Sequence, residues 1–109
     1  MLSASQDPDA MVLRQMIEEG ADLSKAHEPD FAFEAGNEPD ARGIAGALDA
    51  LGYEVSLYEP DEDNPNYQVV GKRTMVLDLA ALNRITGQFE ALARINDATY
   101  DGWGAEIVE

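Results

Sequence analysis

The 109 residues contain no cysteine, one tryptophan and one histidine, and only 7 of them are Lys or Arg. Without thiols there are no disulfides, thiolate metal sites or cysteine nucleophiles, and the expected setting is the reducing cytoplasm. A lone His, with no second His and no serine elbow, excludes the common zinc sites and hydrolytic triads, so His27 is expected to be structural or solvated. No apolar run approaches the ~20 residues that cross a bilayer. The start Ser3-Ala4-Ser5-Gln6-Asp7-Pro8 has neither the basic nor the apolar region of a signal peptide. Neither GxGxxG nor GxxxxGK[ST] occurs, so the glycine-rich phosphate loops are missing too.

The shortage of bases sets the charge. Against 22 acids they leave −15, well beyond the net charge of about 2–8 that keeps a small domain soluble. Direct binding to nucleic acid or an anionic membrane is disfavoured, because both draw on Lys and Arg. A basic protein segment is the natural counterpart. The adjacent pair Lys72-Arg73 is read as offsetting local acids. Acids alone do not make a metal site: Asp61, Asp63 and Asn64 resemble the opening of a calcium loop, but Asn66 and Lys72 stand where an EF-hand needs Gly and Glu. No cofactor or metal is expected.

The length and the 45% hydrophobic content fit one domain over residues 1–109, with Met1 to Gln6 as a frayed terminus. Asp7-Pro8 reads as an N-cap followed by Pro at the first helical position. Val12, Leu13, Met16 and Ile17 then form a stripe that ends at Gly20, which predicts a helix over about 8–19. Glu18 and Glu19 oppose its dipole and are candidates for a partner surface. Phe31 and Phe33 alternate with smaller neighbours in a strand over His27–Glu34. Asn37-Glu38-Pro39 repeats the capping signal for a helix ending near Gly52, in which Gly43 and Gly46 suggest close approach to a sheet. Strands Tyr53–Tyr58 and Tyr67–Lys72 flank an acidic loop and read as an antiparallel hairpin. Asp78 caps a last helix running to about Asn96, and Gly104–Val108 is the expected final strand. After the first helix the order is β-α-β-β-α-β. That is the α+β, ferredoxin-like split βαβ with a four-stranded antiparallel sheet, plus one extra N-terminal helix expected to cover part of the remaining sheet face or an edge.

Between the last helix and that final strand lies Tyr100-Asp101-Gly102-Trp103-Gly104, read as a helix-to-strand corner anchored by the one Trp. With this string the chain resembles the RraB family, regulators of ribonuclease E activity. Gly20-Ala21-Asp22, Asp30-Phe31-Ala32-Phe33, Leu51-Gly52-Tyr53-Glu54-Val55 and the acidity agree, over about residues 8–108. The resemblance implies protein binding rather than catalysis: association with ribonuclease E, whose basic segments a carboxylate surface could engage in competition with RNA. On this reading Tyr100, Asp101 and Trp103 form the partner surface, with Asp61, Glu62 and Asp63 as electrostatic support. Two rivals share the fold. A dimeric small-molecule sensor would need a pocket. An acylphosphatase-type enzyme would need an anion cradle at Ala35-Gly36-Asn37-Glu38-Pro39, where Glu38 repels phosphate.

Overall fold

A computed structural model describes residues 7–109, so the expected fraying of Met1 to Gln6 lies outside the described residues. Helix α1 spans Pro8–Glu18, with the Asp7 carboxylate accepting from the Asp9 amide at 2.9 Å. The short strand β1, Ala26–His27, precedes β2, Asp30–Ala35. Helix α2 is Glu38–Ala50, its first turn closed by the Asn37 side chain accepting from Asp40 N. Strands β3 (Glu54–Tyr58) and β4 (Tyr67–Lys72) are followed by β5, Met75–Val76. Helix α3, Leu79–Ile95, is capped by Asp78, and β6 is Thr99–Gly104.

Four strands form one antiparallel sheet in the order β3-β4-β2-β6. Residues of one strand point alternately to its two faces, and Phe31, Phe33, Ala35, Val69 and Tyr53 share one of them. There they meet Ile44 and Leu48 of α2, Leu82 and Phe89 of α3, and Leu13 and Met16 of α1 in a single core. Phe31, Phe33, Tyr53 and Tyr100 surround or adjoin Phe89 with ring centroids 5.1–5.8 Å apart, most of them edge-on, as aromatic quadrupoles prefer. Gly71 of β4 lies under α2, where an added Cβ would stand 3.2 Å from Leu48 Cδ1. The hairpin β3–β4 forms as the alternation predicts. The extra helix takes an edge: α1 packs beside α3 and reaches β6, the outer strand.

Three expectations are corrected. The strand over His27–Glu34 is two strands, because Pro29 breaks the ladder: β1 leaves the main sheet and pairs with β5, Ala26 opposite Val76 and His27 opposite Met75. Gly43 and Gly46 do not meet the sheet. A Cβ on Gly43 would collide with the Asn96 side chain at the end of α3, and one on Gly46 would meet nothing within 4 Å. The largest difference concerns the end of the chain. The turn after α3 is Asn96-Asp97-Ala98, with Asp97 at φ 52° and Ala98 N–H closing onto Ala93 O at 2.8 Å. The strand begins at once, at Thr99 rather than Gly104, so Tyr100 to Gly104 is strand, not corner.

Candidate partner-binding surface

Strand β6 holds the aromatic pair by a break in its own register. Phe33 faces Tyr100 and Ala32 faces Gly102, so Asp101 is an extra residue in a bulge, and Gly102 takes φ 98°. Without the bulge, two residues three apart would point to opposite faces. With it, both Tyr100 and Trp103 turn toward the helices, and Trp103 stands opposite Phe31. Its indole Nε1 donates to Asp9 Oδ1 at 2.9 Å, and the Thr86 hydroxyl of α3 reaches the same carboxylate at 2.8 and 3.0 Å. Asp9 is only 5% exposed. One buried carboxylate therefore ties α1, α3 and β6 together, a role no periodicity in the sequence reveals, since Asp9 reads there as a first-turn acid.

The Tyr100 hydroxyl is buried beside Thr86 without completing a hydrogen bond. Burial pushes its phenol well above the ordinary value; Thr86 pulls the other way, and Asp9 and Glu90 add to the rise. Tyr100 and Trp103 thus lie mainly inside the fold, behind the surface that their sequence position suggested.

The opposite sheet face is different. Asp30, Glu54, Ser56, Tyr58 and Lys72 are exposed on it, Ala32, Glu34, Gln68 and Val70 are half-buried, and the helices bury their apolar stripes on the other side. Glu34 is its focus. Asn64 and Asn66 of the β3–β4 loop both donate to the Glu34 carboxylate at 3.4 Å, which ties the acidic loop to this part of the sheet. Asp101 is there too: partial burial raises its carboxyl above the ordinary value, and repulsion from Glu34 raises it further. In the loop, Asp61 Oδ1 accepts from the amides of Asp63 and Asn64, each at 2.9 Å, so the turn is shaped by its own acid, while Glu62 and Asp63 stay exposed. Of the six residues singled out by sequence, Asp101 lies near Glu34, Asp61, Glu62 and Asp63 lie in the loop whose Asn64 and Asn66 reach Glu34, and Tyr100 and Trp103 turn to the helix side. Glu34 and Glu54, which the sequence did not single out, lie on the same face; their alternation with the inward Phe33 and Val55 was the available signal.

Of the two readings left open for His27, the structural one holds. The residue is buried, its Nδ1 lies 3.0 Å from Lys25 O and its Nε2 accepts from Val108 N–H at 3.2 Å, so one tautomer joins β1 to the segment after β6. Among the described residues no group of three or more His, Cys, Asp or Glu could hold a metal ion, and no helix is long and apolar enough to cross a membrane.

No curated protein matches the sequence. A family model described as regulator of ribonuclease activity B does match it, over residues 6–105, a stretch that takes in α1, both faces of the sheet and the whole of β6. The chain therefore belongs to the RraB family.

Proposed function

We propose that this protein is a non-enzymatic, acidic, cytoplasmic regulator that binds a ribonuclease of the ribonuclease E kind through a basic segment of that enzyme, without contacting nucleic acid directly. The family match supports the class of partner. A ferredoxin-like reading of the fold is supported by the strand order β3-β4-β2-β6, which is what a split βαβ with two crossing helices produces. The observation that supports the site is the helix-free sheet face, where Asp101 lies near Glu34 and the acidic loop is tied to Glu34 through Asn64 and Asn66, while the one base on that face among the described residues, Lys72, lies 3.8 Å from Asp30 toward the other end of β2. Carboxylates so arranged attract Arg and Lys side chains, steer their approach and compete with RNA for them. Tyr100 and Trp103 act in this scheme from behind, by fixing the bulge that presents Asp101.

The test uses the loop. Asn at position 61 keeps the oxygen that accepts from Asp63 and Asn64, so Asp61→Asn, Glu62→Gln and Asp63→Asn together should leave the melting temperature nearly unchanged. Association with ribonuclease E, followed at low and moderate salt, should be slower for the triple variant and less sensitive to salt. Equal rates and equal salt slopes for the two proteins would remove the loop from the binding surface. Failure of the wild-type protein to bind the nuclease at all would remove the reading itself.

A further inference from the structure

The geometry points to the free edge of β3 as a docking site for an extended basic segment, added to the sheet as a further strand. This rests on the reading above and gives it a binding mode. The sheet has two edges, and they differ. At β6 the ladder is broken by the bulge at Asp101 and the φ of Gly102, and α1 is fastened alongside through Trp103 and Asp9. At β3, Glu54–Tyr58 runs in unbroken register with β4 and, among the described residues, has no strand on its other side. Proteins usually blunt such an edge with lysine, proline or a bulge, because its unpaired N–H and C=O groups template another strand. β3 has none of these; its one charged residue is Glu54.

Chemistry selects the occupant. On the open face, Glu54, Ser56 and Tyr58 border a shallow recess shared with Asp30, Val70 and Lys72. On the helix face, Val55 and Leu57 remain half-buried at the rim of the core. Successive side chains of an added strand alternate between these faces, so the edge suits a segment in which Arg or Lys alternates with apolar residues. The bases would meet Glu54 and the acids that follow β3, Glu59 and Asp61 to Asp63, while the apolar residues would extend the cover over Val55 and Leu57. Main-chain hydrogen bonds supply affinity in this mode and the alternate side chains supply selectivity. A second copy of this chain is a poor occupant, since each carries −15.

The probe is a short synthetic peptide of alternating Arg and Val, compared with the same peptide N-methylated at every residue. The N-methylated form keeps the charge but cannot complete a ladder. Amide exchange is read for residues 54–58. The alternating peptide should slow exchange of the outward amides of β3 by about tenfold or more, and the N-methylated one should not. Glu54→Lys with Ser56→Lys, both at exposed positions, should weaken the peptide by about tenfold with the melting temperature kept. Equal binding of the two peptides without protection of β3 would overturn the proposal, as would protection that grows with protein concentration in the absence of peptide, which would assign the edge to a second copy. The double variant separates this inference from the reading beneath it. Undiminished capture of ribonuclease E by the variant would sink the β3 edge and leave the regulator standing; a protein that protects β3 with the peptide yet ignores the nuclease would do the reverse.

Discussion

Asp9 has almost no access to water and, among the described residues, forms no ion pair; its carboxyl accepts from the Thr86 hydroxyl and the Trp103 indole. Removing the donor leaves a buried acceptor short of a partner, which costs more than the bond itself contributes. Trp103→Phe, which keeps most of the ring but not the N–H, should therefore cost about 1–3 kcal/mol in denaturant unfolding. Trp103→Ala should cost about 3–5 kcal/mol, because the packing against the core goes as well. An unchanged midpoint for both would show that Asp9 is satisfied by other means. Tyr100 gives a second measurement. Its folded-state pKa is raised, by burial first. Stability associated with the neutral phenol is thus intact below the ordinary phenol range and declines as pH climbs through that range, where the unfolded chain ionises and the folded one does not. Tyr100→Phe should flatten the alkaline limb of a stability-against-pH curve. It should change stability at neutral pH by less than about 1 kcal/mol, since the deleted hydroxyl has no hydrogen bond to lose. A limb equally steep in the variant would assign the alkaline loss to other groups.

At the scale of elements, β6 depends on a backbone conformation as much as on its side chains. Gly102 sits at φ 98°, while Gly104, two residues on, does not have a positive φ, and a Cβ would find open space at either. The two glycines form their own control. Gly102→Ala should destabilise by about 1–2 kcal/mol from backbone strain alone, whereas Gly104→Ala should be near neutral. If the two cost the same, the bulge is not what holds Tyr100 and Trp103 on one face. Gly102→Ala also tests the proposed surface: a relaxed bulge would move Asp101 relative to Glu34, and if that surface binds the nuclease the association rate should fall along with stability. Helix α1 depends on the same strand, since it reaches the rest of the molecule through α3 and β6.

For the molecule as a whole, charge is the dominant long-range feature. Among the described residues two ion pairs are formed, Arg42 with Glu38 at 3.0 Å and Lys72 with Asp30 at 3.8 Å, both exposed and of small individual worth. The remaining excess of acid repels itself, and salt screens that repulsion over distances of about 10 Å at 0.1 M. The melting temperature should therefore rise as sodium chloride is added from low to physiological strength, the opposite of what a domain held by attractive pairs would do. Binding to a basic partner should weaken over the same range. A melting temperature that falls with salt would mean that the few attractive pairs outweigh the excess of acid.

The sequence by itself determined the three helices, their caps and the strands β2, β3 and β4, because those signals are local: Asp7, Asn37 and Asp78 each accept from an amide within the next three residues, and the apolar stripes recur every three or four. Net charge is a sum over residues and needs no fold. Tertiary structure decided what depends on residues far apart in the chain. Tyr100 and Trp103, three residues apart, break the period of two, so their strand reads as a corner in the sequence, and only its pairing with β2 shows the bulge between them. His27 and Met75 pair across 48 positions that carry no shared pattern. Asp9 acquires its role from Thr86 and Trp103, 77 and 94 residues downstream. Which acids come together, and which strand edge stays open, follows from strand order, and strand order is set by how the helices cross the sheet rather than by any one stretch of residues.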